Sequence, residues 1–216
     1  MPKRVNYTTI LAQAWFTIVL FGLLGLVLAL IISFVQPLKY SSTARLLILE
    51  RTGLTTDAYT ASRSEERIAE NLTSVIYTTT FFNEVMTAGF GIDVSAFPVD
   101  DNNRRRAWAR TVTATVARGQ GLLTVTAFHR DIQQAEQIVR AVSQVLTEQA
   151  PDFTSGSNVQ VRLIDAPLNS KYPVKPNVIA NAFSGFVLGG LVGIGYVLAQ
   201  SERIRRRHQF VHEDFS

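Results

Sequence analysis

The sequence contains no cysteine and only three histidines among its 216 residues. The absence of cysteine excludes disulfides and thiolate metal sites. His129 stands between a predicted strand and a predicted helix cap, with no second histidine nearby. No set of polar residues combines a nucleophile, a base and carboxylates in a pattern typical of catalysis. We therefore expect no metal, no cofactor and no enzymatic activity.

Charged residues are also missing from two long stretches, residues 5–38 and 176–201. A helix needs about 20 apolar residues to cross about 30 Å of hydrocarbon, and we therefore predict transmembrane helices over residues 14–36 and 177–200. A buried core helix is the alternative, but two such runs would leave little sequence to cover them. A cleaved signal peptide is rejected for the first run, because its apolar region exceeds about 15 residues and no small-x-small cleavage site follows.

These two spans divide the chain into a cytoplasmic arm (1–13), a central domain (37–176) and a short cytoplasmic tail (201–216). Basic residues favour cytoplasmic ends. The terminal arms carry Lys3, Arg4, Arg203, Arg205, Arg206 and Arg207, whereas the near flanks of the central domain carry Lys39, Arg45, Lys171 and Lys175. We expect a multi-pass protein of the cell (inner) membrane, in contact with membrane lipid, with both termini cytoplasmic and the domain extracytoplasmic.

The central domain is predicted to be α+β, with a mixed sheet of roughly four strands and amphipathic helices. Its 15 basic and 14 acidic residues nearly cancel, which gives no reason to expect a nucleic-acid partner. Apolar alternation and turn residues predict strands at 40–49, 111–117, 122–128 and 159–164. Helical spacing predicts helices at 63–78 after a Ser62/Glu65 capping box, at 80–88, at 104–110, and from an Asp131 cap to Pro151. A proline-bearing linker is expected over 166–176.

Five segments occur in an order that resembles a known family. They are Pro37–Ala44 (P-x-x-Y-x-S-x-A), Leu123–Ala127 (L-T-V-T-A), His129–Val139 (H-R-D-x-x-x-A-x-x-I-V), Asp165–Pro167 (D-A-P) and Tyr172–Asn177 (Y-P-x-x-P-N). The family is that of the Wzz-type chain-length determinants, or polysaccharide co-polymerases. It includes compact membrane adaptors that work with the tyrosine kinases of capsule and exopolysaccharide systems.

The resemblance implies a non-enzymatic homo-oligomeric scaffold that regulates the chain length, polymerisation or export of a surface polysaccharide. The partners it implies are the polysaccharide chain, a polymerase or flippase, and a cytoplasmic tyrosine kinase. The chain departs from long members because its predicted helices are short, and it has no G-x-x-x-x-G-K-[ST] motif of a fused kinase domain. It is most similar to the compact adaptor type.

Small residues and prolines stand out around the second span. Gly185, Gly189 and Gly193 recur every fourth residue and form two overlapping G-x-x-x-G motifs. Such a face is typical of close helix packing in membranes, and we expect it to contact another span and to support assembly. Pro173 and Pro176 fix φ just before this span, which predicts a stiff link between the domain and the second span. The same prolines are also an ordinary helix-start signal, and the two interpretations are compatible.

Arginines form two further candidate surfaces. Arg104, Arg105, Arg106 and Arg110 could face an acidic glycan or a neighbouring subunit, although a solvated helix face is the simpler interpretation. In the tail, Arg205, Arg206 and Arg207 suit an anchor at the anionic leaflet, and with Phe210 and Phe215 they could bind a cytoplasmic partner such as a kinase. The alternative function is a membrane-tethered sensor whose domain binds a ligand and signals through the second span.

Overall fold

The computed structural model describes residues 7–50, 58–154 and 159–213. The predicted arm through residue 6 and Phe215 of the tail lie outside the described residues. The helices are α1 (Tyr7–Gln13), α2 (Trp15–Val35), α3 (Ala58–Ile76), α4 (Thr79–Thr87), α5 (Asp101–Thr111), α6 (Ile132–Phe153) and α7 (Val178–Glu213), with a 3₁₀ turn at Val94–Ala96. The strands are β1 (Tyr40–Glu50), β2 (Val112–Val116), β3 (Leu122–His129) and β4 (Val159–Asn169).

The chain forms two compact units, one of which contains the helix pair α2 and α7. By length and composition, Trp15–Val35 and Val178–Arg203 are apolar enough to cross a membrane. Only 11% and 17% of the most apolar window of each is buried within the structure, which is unlike the core helices of a soluble protein. Asn177 caps α7, because its side-chain oxygen accepts the Ala180 N–H at 3.1 Å.

Leu38–Lys175 forms the second unit, which is built on a four-stranded sheet of order β2-β3-β1-β4. The predicted α+β class and the strand count are confirmed. Every pairing is antiparallel, however, and the expected mixed sheet does not form. The reason is strand order: β3 and β4 run in the same direction, joined by α6, but β1 is inserted between them and pairs antiparallel with both.

The last strand is longer than the sequence predicts. We expected β4 to end at Ile164 and a linker to follow, but it continues through Pro167 to Asn169. Proline lacks the N–H needed inside a sheet but is tolerated at an edge or near a bulge. Both conditions hold here, because β4 is an edge strand and its pairing with β1 is irregular around Arg45.

The helices cover one face of the sheet and close the core. Side chains of β1 alternate so that Ala44, Leu46 and Ile48 are fully buried. The predicted apolar face of α6 is confirmed, and Asp131 caps this helix by accepting the Gln133 N–H. Its buried residues include Ala135, Ile138, Val139, Val142 and Leu146. Burial of these apolar side chains is the main favourable term in folding of the domain.

The predicted capping box at Ser62 is wrong. Helix α3 begins at Ala58, which places Ser62 inside the helix, where its hydroxyl donates to the Gly119 carbonyl at 2.8 Å. A serine inside a helix can bond to a distant carbonyl when tertiary packing brings one close. The following helix agrees better with its prediction, since Thr78 caps α4 and Gly89 beyond its end has φ +83°.

Candidate functional site

The three predicted packing glycines lie against α2 of the same chain. A Cβ on Gly189 would be 2.3 Å from the Phe21 carbonyl oxygen, and one on Gly185 would be 2.5 Å from the Ala29 Cβ. At Gly193 the nearest atom is the Phe21 Cβ, at 2.9 Å. The two helix backbones therefore approach so closely that only glycine fits at these positions without a shift.

Two glycines of α2 complete this contact and were missed from the sequence. A Cβ on Gly25 would be 2.3 Å from the Gly185 carbonyl oxygen, and one on Gly22 would meet the ring of Phe186 at 2.9 Å. Their three-residue spacing differs from G-x-x-x-G. The signal available was the presence of two glycines inside an otherwise large-residue apolar run.

A polar bond also joins the two spans. The side-chain amide of Asn181 donates to the hydroxyl of Ser33 at 2.9 Å, and Ser33 is only 1% exposed. Polar side chains inside apolar helices are expensive unless they are paired. The bond lies near the end of α2 and the start of α7, so it joins the two spans at the end from which the central domain departs.

The two ends of the central domain are held together by backbone hydrogen bonds. The Lys39 N–H donates to the Lys175 carbonyl at 3.0 Å, and the Val174 N–H donates to the Lys39 carbonyl at 2.8 Å. Pro173 and Pro176 flank Val174 and Lys175, so the paired dipeptide has a restricted residue on either side. This placement supports a stiff connection, while the mechanical role of the prolines stays a prediction.

Lysines lie at the place where the two ends of the domain are joined by backbone hydrogen bonds. The Lys175 ammonium lies 3.5 Å from the centroid of the Phe128 ring, which is close enough for a cation–π interaction. Burial of this ammonium, together with the nearby charge of Lys39, lowers the pKa of Lys175. Lys171 lies four residues before Lys175 in the same segment, and its ammonium is 5.7 Å from the centroid of the Tyr172 ring. Among the described residues, none of these three lysines forms an ion pair.

The four candidate arginines of α5 do not share one environment. Asp100 caps this helix by accepting the Asn103 N–H. Arg104 turns toward the protein, where it pairs with Asp101 and lies 5.3 Å from the Phe82 ring centroid. The other three are exposed, and among the described residues they have no acidic partner: Arg105, Arg106 and Arg110. They can therefore contact an external group, whereas Arg104 is held by its own domain.

A cavity of about 600 Å³ lies beside Arg104, between α4 and the segment that follows it. Its walls are mostly apolar and include Phe82, Met86 and Phe97. Trp108 of α5 lies behind it and is 1% exposed, as expected for a core residue, with its indole N–H donating to the Ile76 carbonyl at 2.7 Å.

The tail candidates fall at the end of the longest helix. Arg205, Arg206, Arg207 and Phe210 belong to α7, which continues to Glu213, well past the predicted end of the span at residue 200. Phe215 lies outside the described residues. The basic segment is thus a helical extension of the second span, and its role as a partner surface stays a prediction.

The described part of the chain contains no cluster of three or more His, Asp or Glu residues suited to a metal ion. His129 instead orders the start of α6: its Nδ1 accepts the Asp131 N–H at 3.1 Å. This contact is local and structural. The expected absence of cofactor and catalysis stays a prediction.

Two family models match the chain. Residues 5–88 match Wzz, described as "Chain length determinant protein", and residues 120–202 match GNVR, described as "G-rich domain on putative tyrosine kinase". No curated protein matches. Together the two matches include both long apolar helices and most of the domain between them. The resemblance noted in the sequence is confirmed: the two matches support a Wzz-type polysaccharide co-polymerase of the inner membrane, with a role in polysaccharide chain-length determination.

Proposed function

We propose that the chain is a non-enzymatic, homo-oligomeric membrane scaffold, with cytoplasmic ends and the domain 37–176 on the other side of the membrane. The observation that carries this proposal is the pairing of the first and last strands. Because β1 and β4 are adjacent and antiparallel, the chain enters and leaves the domain at one end of the sheet. A domain connected in this way can be held by two spans while its remaining surface stays available to partners.

Two surfaces of the domain suit contacts with neighbouring copies or with the glycan. The outer edge strand β4 exposes apolar side chains at Leu163, Ile164 and Leu168, which are 42%, 51% and 77% exposed. The exposed arginines of α5 add three positive charges that have no acidic partner in the described part of the chain. Exposed sheet edges readily accept another chain, and arginine suits the carboxylates or phosphates of an acidic polymer.

The proposal extends to three partners: the growing polysaccharide, its polymerase or flippase, and a cytoplasmic tyrosine kinase. The match to a domain described as occurring on a tyrosine kinase supports the last of these. The basic segment in the last part of α7 is the contact that we assign to it. A kinase bound there would sense changes in the spacing or orientation of the second span.

The test of the scaffold role is the length distribution of the surface polysaccharide in a host that lacks this chain. We expect loss of the normal distribution, its recovery with the wild-type chain, and incomplete recovery when Arg105, Arg106 and Arg110 are all changed to Gln. Arg118→Gln, an exposed arginine elsewhere in the domain, is the matched control. An unchanged length distribution in the deletion host would overturn the proposal.

Orientation and the kinase contact need separate tests. The chain has no cysteine, so Gln120→Cys in the exposed hairpin turn gives a single labelling site. An impermeant maleimide added to spheroplasts should label it, and labelling only after lysis would overturn the orientation. For the kinase, changing Arg205, Arg206 and Arg207 to Gln should lower kinase autophosphorylation while the α5 variant leaves it unchanged.

A further inference from the structure

The segments next to the two spans carry a combined apolar and basic surface, which we call the collar. Its residues are Leu38, Lys39, Lys171, Tyr172, Val174 and Lys175, all of which belong to the domain unit. Leu38 is 59% exposed and Tyr172 is 70% exposed, although both are large and apolar or aromatic. A surface of this composition is unusual for a face that contacts only water.

Chain connectivity places the collar close to the ends of the spans. Leu38 follows the last residue of α2 by three positions, and Lys175 precedes the first residue of α7 by three. Since a chain extends at most about 3.6 Å per residue, both backbones lie within about 11 Å of a span end. The polar region of a bilayer is about 5–8 Å deep on each side. The side chains of Leu38 and Lys175 can therefore reach the headgroups, and Lys39 lies beside Lys175 because the two residues are paired through the backbone.

The lysines of the collar have no carboxylate partner among the described residues, although the Lys175 ammonium lies over the Phe128 ring. Lys39 and Lys175 are directly paired across the backbone bridge, and like charges opposite each other in a sheet are unfavourable. No carboxylate among the described residues forms an ion pair with either lysine. A phosphate bound by both ammonium groups would relieve this repulsion.

We propose that the collar binds the phosphate-bearing surface of an anionic bilayer, and so docks the domain on the leaflet from which it emerges. The lysines contact lipid phosphates, while Leu38 and Tyr172 enter the interfacial region, where tyrosine is favoured. The bound leaflet is whichever one faces the domain, so this inference holds for either orientation of the chain. It goes beyond the scaffold role and does not depend on it.

The test uses the full chain in nanodiscs, with Val174→Cys as the only thiol. A spin label at this position reports accessibility to a lipid-soluble and to a water-soluble relaxation agent. With anionic phosphatidylglycerol we expect the label to be accessible mainly to the lipid-soluble agent. With neutral phosphatidylcholine or high salt we expect its accessibility to the water-soluble agent to increase. Lys39→Gln and Lys175→Gln should each lower the docked-to-undocked ratio about fivefold, from about 1 kcal/mol per lysine near an anionic surface.

The control is Arg118→Gln, because Arg118 lies in the hairpin turn at the opposite end of the sheet strands. Comparison of lipids leaves the native lysines in place, so it is informative even if a variant folds poorly. A label that is equally water-exposed in both lipids would overturn the proposal. The spin label could instead be protected from the water-soluble agent to a degree that depends on the number of chains per disc and not on lipid charge. That result would assign the collar to a contact with a neighbouring copy and would also overturn the proposal.

Discussion

The side-chain amide of Asn181 donates to the hydroxyl of Ser33, and this bond joins residues that are 148 positions apart in the sequence. It lies between two helices whose other contacts are almost entirely apolar or through glycine backbone. A single polar bond in such an interface fixes the axial register of the two helices, because a shift of one turn would leave both groups without a partner.

The first prediction concerns this bond. Ser33→Ala leaves the Asn181 amide without its partner in an apolar interface, and we expect the helix pair to lose about 0.5–2 kcal/mol of stability. Reversible unfolding in mixed detergent micelles measures the change. Ser184→Ala is the control, because Ser184 is an exposed serine on α7, the helix that carries Asn181. Equal effects of the two variants would contradict the prediction.

The second prediction separates two adjacent glycines. A Cβ on Gly189 would meet the Phe21 carbonyl oxygen at 2.3 Å, whereas one on Gly190 would meet nothing within 4 Å. Gly189→Ala should therefore force α2 and α7 apart. Gly190→Ala should be neutral or slightly stabilising, because alanine is the better helix former by about 1 kcal/mol.

Cross-linking between cysteines introduced on α2 and α7 measures the separation directly. The same variants also test the expected role of this face in assembly. If Gly189→Ala abolishes oligomers while the intrachain cross-link stays efficient, then the glycine face serves neighbouring copies and the prediction for the helix pair is wrong.

The third prediction concerns the core of the domain. Trp108→Phe removes the indole donor of the Ile76 carbonyl and part of the ring that stacks edge-on against Phe82. We expect a loss of about 2–3 kcal/mol in the free energy of unfolding, from a lost buried hydrogen bond together with a small cavity. Thermal unfolding of the full chain in detergent measures it. Tyr59→Phe, at an exposed aromatic residue, should change stability much less.

The fourth prediction concerns acid stability. The Asn169 amide donates to the Glu136 carboxylate at 2.6 Å, and this bond, followed by Arg140, holds the pKa of Glu136 below its ordinary value of 4.5. A carboxyl with a lowered pKa in the folded state contributes stability above its unfolded pKa. That contribution is lost as the pH falls through the folded value.

Glu136→Gln should therefore reduce stability at neutral pH and flatten its decline below about pH 4.5. Chemical unfolding measured at several pH values tests this. Glu148→Gln, at an exposed glutamate of the same helix, is the control. Parallel curves for Glu136→Gln and wild type would contradict the assigned linkage between α6 and β4.

Local patterns predicted the elements whose determinants lie close together in the sequence. The apolar spacing and Asp131 cap of α6 are contained within one helix, and the hairpin of β2 and β3 is signalled by the glycines around its turn. The two spans can also be predicted from local sequence, because the length and lack of charge of an apolar stretch are enough to show that it can cross the hydrocarbon layer.

The errors arise where distant residues decide the outcome. Pro167 suggested a linker, but edge position and the irregular pairing near Arg45 allow the strand to continue past it. Ser62 resembled a cap, but the Gly119 carbonyl in the hairpin turn is its partner. For the candidate site, the G-x-x-x-G face was visible from its spacing. Its contacts with Gly25 and the Ser33 bond depend on how two segments more than 140 residues apart align.

The bridge between Lys39 and Lys175 has a mechanical consequence for the whole domain. Both span connections pull at the same end of one antiparallel ladder, and its hydrogen bonds are perpendicular to the strands. A force that separates the spans therefore acts on the backbone hydrogen bonds between β1 and β4 one after another, starting at this bridge. Breaking these hydrogen bonds one at a time needs less force than breaking them all together by sliding the strands. A small change in the distance between the spans would therefore first affect the hydrogen bonds between Lys39 and Lys175.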